Sequence, residues 1–143
     1  MNSAILAPAA VLICWTLFML IWLAATRFPA IKKTGLDIGA QRGGRGQDLE
    51  GVLPPEVQWK AHNYAHLVEQ PTLFYAVVFI IALTGTGDAW INVWLAWAYV
   101  GIRIVHSIWQ STVNIVPVRF LIFSLGSLVL LALALHATAA ALQ

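Results

Sequence analysis

Charge is scarce in this chain. Only 10% of its 143 residues are Asp, Glu, Lys or Arg, whereas 60% are hydrophobic. A globular domain of that composition would be insoluble in water, which excludes the water-soluble classes of protein. The formal net charge is only +2, and the basic residues form no cluster with interleaved aromatic residues. We therefore expect no nucleic-acid partner.

Cysteine and sorting signals are also nearly absent. The single cysteine, Cys14, cannot form a disulfide within the chain, and its apolar surroundings favour packing or lipid contact over catalysis. No basic segment precedes the first apolar run, which exceeds the roughly 7–15 apolar residues of a signal peptide, so we expect it in the mature protein.

The glycine-rich stretch 43–46 follows no strand and lacks a nucleotide-binding spacing. It predicts a flexible connection.

Long apolar runs are what the chain has in abundance. Segments of roughly 20 residues, long enough to cross a bilayer, can be fitted about four times. The sequence therefore predicts an all-α integral membrane protein, a single domain (1–143) built as an antiparallel bundle of four transmembrane helices. The predicted helices span about 4–26, 57–83, 89–110 and 116–141.

The predicted connection 27–56, together with Lys60, holds most of the lysine and arginine. Such residues near span ends mark the cytoplasmic side. We therefore expect a multi-pass protein of the cell (inner) membrane, with the 27–56 loop in the cytoplasm and both termini outside.

Three titratable residues share one stripe of the second helix. His62, His66 and Glu69 are spaced i, i+4, i+7. Ionisable groups near membrane depth normally face the bundle interior or a water-filled cavity, and a functional role is their default interpretation.

The third helix carries a second polar stripe, formed by Arg103, His106 and Gln110 at i, i+3 and i+7. In an antiparallel pair the two stripes lie at matching depth. We expect Arg103 to be the counter-charge of Glu69, in a contact that is either structural or chemical.

Arg119 follows Pro117 in the first turn of the fourth helix. A cation there opposes the helix macrodipole, which favours anions at this end. A helix N-terminus with an arginine can form an anion or thiolate site. The alternative is an interfacial arginine whose charged head reaches water.

A metal site is a second possibility. His62, His66 and Glu69 with His106 have ligand types and helical spacing that a metal ion accepts, although no second cluster of similar density supports them.

Three segments give the chain a family resemblance. They are Glu69-Gln-Pro-Thr-Leu-Phe74, Arg103-Ile-Val-His106 and Pro117-Val-Arg119. With the polar second helix, they resemble the MAPEG superfamily, the membrane-associated proteins in eicosanoid and glutathione metabolism, and most closely its small bacterial branch. The resemblance covers nearly the whole chain.

The resemblance implies a homotrimer that binds glutathione as co-substrate between subunits. It implies a glutathione-dependent transferase or peroxidase acting on lipophilic electrophiles or hydroperoxides in the bilayer. Glu69 matches the residue that holds the glutathione amino group, Arg119 the one that stabilises its thiolate, and Arg27 one that binds a carboxylate. His66 stands where members usually have asparagine, and Gln110 where some have tyrosine. Arg103 and His106 match the arginine and histidine of the family's third helix. The resemblance therefore places four further residues at the glutathione site: His66, Arg103, His106 and Gln110. A non-catalytic membrane scaffold or sensor of the same fold is the alternative.

Overall fold

The computed structural model describes residues 3–40 and 42–143, and four long helices dominate it. They are α1 (Leu6–Thr34), α2 (Pro55–Leu83), α3 (Trp90–Thr112) and α4 (Val116–Ala141). Two short 3-10 helices, Ile38–Ala40 and Gly46–Leu49, lie between α1 and α2, and no strand occurs in the described ranges. All four long helices are long and apolar enough to cross a membrane. The predicted all-α membrane fold with four spanning helices is confirmed.

The inner pair of helices forms the centre of the bundle. Each of α2 and α3 contacts all three of the remaining long helices. The start of α1 is fixed to the α2–α3 turn, where Ile5 N donates to Gly87 O at 3.2 Å and Ala4 N to Asp88 Oδ1 at 2.7 Å. The opposite end carries the α1–α2 connection (35–54) and the α3–α4 connection (113–115), and it is called the loop end below.

The two halves of the interior differ in chemistry. Towards the α2–α3 turn the core is mostly apolar, with Phe74 stacked on Tyr99 at 4.5 Å between ring centroids. Most of the buried polar side chains lie towards the loop end, and they include Asn63, Ser107 and Gln110, each with 0% exposure. Buried polar groups require hydrogen-bond partners, so the loop half is the chemically demanding part of the fold.

The first helix is longer than its sequence pattern predicted. It continues past position 26 to Thr34, which corrects the predicted 27–56 loop to 35–54. Arg27 ends the uncharged run without ending the helix, because charge limits lipid contact and leaves backbone hydrogen bonding intact. Lys32 and Lys33 suit the negative C-terminal end of the dipole, and Gly35, at φ 74°, closes the helix in the left-handed region. The structure places the other helices at 55–83, 90–112 and 116–141.

A glycine allows the close approach of α3 and α4. A Cβ at Gly126 would lie 3.3 Å from Ile102 Cγ2, tighter than ordinary van der Waals contact. A larger side chain at this position would require Ile102 to shift by a few tenths of an ångström or more.

Candidate active site

A cavity of about 230 Å³ lies at the loop end, between α2, α3 and α4. It brings together three residues that the sequence singled out, one from each helix: His66, His106 and Arg119. The two imidazole rings are 6.1 Å apart between centroids and meet edge to face. The remaining walls are apolar and come from α4: Val116, Phe120 and Phe123.

Arg119 supplies the positive charge of this cavity. It stands in the first turn of α4, where its Nη1 donates to Asn114 Oδ1 at 2.7 Å. Asn114 adopts a left-handed φ of 55°, which asparagine tolerates better than most residues. Across residues 3–40 and 42–143, no carboxylate pairs with Arg119. The guanidinium is therefore balanced only by a neutral amide, and it remains available to an anion.

Glu69 adjoins the cavity through His66. Its Oε2 lies 3.7 Å from His66 Nδ1, and its side chain is 67% exposed on the outer surface of α2. A carboxylate at this depth has no other ion-pair partner in the described parts of the chain. The cavity thus has a cationic side at Arg119 and an anionic edge at Glu69.

Arg103 does not pair with Glu69, so that prediction was wrong. Its Nη2 donates to the backbone carbonyl of His66 at 2.7 Å, and its Nη1 lies 3.4 Å from Gln70 Oε1. Arg103 is only 1% exposed, whereas Glu69 points outward from α2. The arginine therefore lies behind the cavity wall and positions His66 through its backbone.

Sequence reasoning missed two residues that hold the site together. Gln70 connects three helices: its Nε2 donates to Ser127 Oγ at 2.8 Å, and its Oε1 lies 3.4 Å from Tyr99 Oη. Asn63 Nδ2 donates to Ser107 Oγ at 2.8 Å. Asn63 and Gln70 are seven residues apart and share a helical face, a signal that was available in the sequence.

Besides Glu69 and Arg103, two further predicted site residues lie outside the cavity lining, Gln110 and Arg27. Gln110 is fully buried, and within the described part of the chain neither polar atom of its amide has a hydrogen-bond partner. Arg27 lies on α1, where its Nη2 donates to the carbonyl of Gly46. It lines two other cavities, of about 470 and 390 Å³, against the α1–α2 connection.

The metal hypothesis gains no support from the arrangement of ligands. Within the described ranges, no group of three or more His, Cys, Asp or Glu side chains could hold a metal ion. His62 is instead engaged with Glu50, its Nε2 lying 2.5 Å from Glu50 Oε1.

A comparison with protein-family models gives a match to the MAPEG family over residues 5–139. The chain belongs to the MAPEG family. The match runs from the start of α1 to the last turn of α4 and includes every residue that lines the cavity, which confirms the resemblance seen in the three sequence segments. MAPEG membership associates the chain in general terms with membrane-bound, glutathione-related transferases and peroxidases. Searches among curated proteins and among solved structures returned no match.

Proposed function

We propose that the protein is a membrane-bound, glutathione-dependent transferase or peroxidase that acts on lipophilic electrophiles or hydroperoxides. The observation that carries this proposal is the position of Arg119. It is a guanidinium without a carboxylate partner in the described chain, at the wall of a cavity whose other sides are imidazole and apolar.

Arg119 would act on the ionisation of the thiol. A nearby cation in a partly desolvated site favours the thiolate over the neutral thiol, and the thiolate is the nucleophile. The N-terminus of α4 adds the positive end of its dipole on the same side. Both effects favour an anion at this point of the cavity.

The apolar walls fit a substrate that arrives from the bilayer. Phe120 is 68% exposed beside the cavity, on a helix that is apolar enough to lie in lipid. In the transferase reaction the thiolate sulfur bonds to the electrophilic carbon, and the leaving group departs with the electrons of its bond. With a hydroperoxide, the sulfur bonds to the terminal oxygen and becomes a sulfenic acid as the O–O bond breaks, and the alkoxide leaves with the bonding electrons and is protonated to the alcohol. A second thiol then releases water and forms the disulfide.

The remaining charges of glutathione need partners beyond this cavity. Glu69 is exposed and suits the amino group, and Arg27 suits a carboxylate, although it lines other cavities on α1. We propose that a neighbouring subunit of a homotrimer brings its Arg27 to the cavity of this one. Arg103 would then act mainly by holding His66, while His106 forms the opposite wall.

Glutathione binding can be tested without knowing the electrophile. The thermal stability of detergent-purified protein is measured over a glutathione titration, with a Gly-Cys dipeptide as the ligand control. A ligand that binds only the folded state raises stability by mass action. We expect a saturable rise that disappears in Glu69→Ala and Arg119→Ala but persists in Arg42→Ala, the matched arginine control. No rise in the unsubstituted protein at millimolar glutathione would contradict the proposal and favour a non-catalytic scaffold.

A further inference from the structure

The loop half of the bundle contains a set of buried polar side chains, one on α2 and the others along one face of α3. We call it the polar track, and its members are Asn63, Arg103, His106, Ser107, Gln110 and Ser111. Each of them is at most 2% exposed. On α3 they recur every three to four residues, so they follow one face of the helix from Ser111 near its end to Arg103.

The polar track is short of hydrogen bonds within the protein. Six of its buried side-chain atoms have no hydrogen-bond partner among the described residues: Asn63 Oδ1, Arg103 Nε, His106 Nδ1, Ser111 Oγ and both amide atoms of Gln110. Leaving one buried polar atom unpaired costs about 1–3 kcal/mol, so six together would be incompatible with a marginally stable fold. Native proteins meet this need with buried water, each molecule making about three hydrogen bonds.

The two ends of the polar track differ. At the loop end, Lys60 is partly exposed, and its Nζ lies 3.4 Å from the Ser111 carbonyl oxygen. Further in, one turn of α3 short of Arg103, His106 is a wall of the cavity that holds Arg119. The polar track therefore runs from the aqueous edge of the bundle to the proposed reaction site, behind the cavity wall.

We propose that the polar track holds a chain of water molecules and that this chain carries away the proton released when the bound thiol ionises. The second part rests on the proposed function. The proton leaves the sulfur, which keeps the electron pair, and passes to the His106 ring. When one nitrogen of the His106 ring accepts a proton, the other ring nitrogen can release its proton to water. Gln110 and Ser111 then position the water that leads to the loop end.

Water in the polar track can be detected without glutathione. In a Cys14→Ala background, single cysteines are introduced by Ser107→Cys and Ser111→Cys, which preserve side-chain size closely. The control is Ala96→Cys on the same helix, at a site with 0% exposure in the apolar core. Silver ion is added as a small water-borne thiol reagent, and thiols that remain free are alkylated after denaturation and counted by mass spectrometry.

We expect silver to cause loss of alkylation at both serine positions and no loss at Ala96→Cys. Adding Gln110→Leu should slow the reaction at Ser107→Cys. If Ser107→Cys and Ala96→Cys are equally protected from silver, the proposal is overturned. Equal reaction of the two cysteines also overturns it, because that result would indicate opening of the whole bundle.

The proton-transfer step has its own readout. The ultraviolet absorbance of the glutathione thiolate is followed after a rapid rise in pH. Ser111→Ala, which removes a hydroxyl of the polar track outside the implied glutathione site, should slow the appearance of thiolate while leaving the glutathione-induced stability shift unchanged. An unchanged rate in this variant overturns the role in proton transfer. If the silver result is positive but the unsubstituted protein forms no thiolate, the water chain stands and the proposed function fails.

Discussion

Arg103 Nη2 donates a 2.7 Å hydrogen bond to the carbonyl oxygen of His66, across the interface between α3 and α2. The next carbonyl along α2, that of Leu67, would normally bond to the N–H of residue 71, which is a proline. The buried guanidinium of Arg103 thus contacts α2 one residue before the position where the backbone hydrogen bonding of α2 is interrupted. His66 and the cavity wall are held in place by this contact.

Replacing Arg103 with methionine should destabilise the protein. The change leaves the His66 carbonyl without this donor, and a hydrogen bond from a charged group is worth about 1.5–3 kcal/mol. We expect Arg103→Met to have a lower midpoint of thermal unfolding in detergent. The midpoint of Arg103→Lys should lie between those of Arg103→Met and the unsubstituted protein. Arg119→Met is the matched control, since the side chain of Arg119 hydrogen-bonds only to the amide of Asn114 among the described residues. Equal midpoints for the two methionine variants would contradict this account.

Gln70 and Ser127 should be energetically coupled. Gln70 Nε2 donates to Ser127 Oγ at 2.8 Å, which joins α2 to α4. In a double-mutant cycle, Gln70→Leu and Ser127→Ala should cost less together than the sum of the single changes, by about 0.5–1.5 kcal/mol, the usual net value of one hydrogen bond. Chemical denaturation monitored by tryptophan fluorescence measures all four proteins. Strict additivity would show that the contact contributes nothing.

Arg119→Lys should retain binding better than reaction rate. Lysine keeps the charge but lacks the planar fork of donors that arginine offers to an anion. Loss of one positioned donor to a developing anion typically lowers kcat by about 10²–10³-fold. We expect a decrease of that order in conjugation or hydroperoxide reduction, with a nearly unchanged glutathione-induced stability shift. A variant with full activity would remove Arg119 from the mechanism.

The contact between Glu50 and His62 should order the α1–α2 connection without stabilising the bundle. Both side chains are about half exposed, and exposed ion pairs contribute only about 0.2–1 kcal/mol. Glu50→Gln should therefore leave thermal unfolding nearly unchanged but speed tryptic cleavage at Arg42 and Arg45. Glu56→Gln is the control, because Glu56 accepts from Lys60 through its backbone carbonyl only. Identical cleavage rates in both variants would contradict the prediction.

The cytoplasmic position of the loop end remains a prediction and can be tested by labelling. In intact cells carrying the Cys14→Ala background, a membrane-impermeant maleimide should label Thr86→Cys, in the α2–α3 turn. Gly44→Cys, in the α1–α2 connection, should react only after the membrane is permeabilised. The reverse pattern would invert the topology and place the Arg119 cavity on the outer side.

Part of this structure can be predicted from the sequence because the patterns that determine it lie within short segments of the chain. Four runs of apolar residues predict four membrane helices, and the positions of prolines and polar turns predict most of their ends. The family could be recognised from three short segments. Bringing His66, His106 and Arg119 together follows from helical periodicity and short connections, which place three polar faces at the same end of the bundle.

The tertiary structure decided what periodicity cannot. Arg103 and Glu69 have suitable charges and matching depth, yet their side chains leave the helices in different directions, so the arginine bonds to a backbone carbonyl instead. Arg27 has the right charge for the site but lies against another part of the chain. Charge and spacing define which residues could meet, whereas side-chain direction and helix packing determine which of them do.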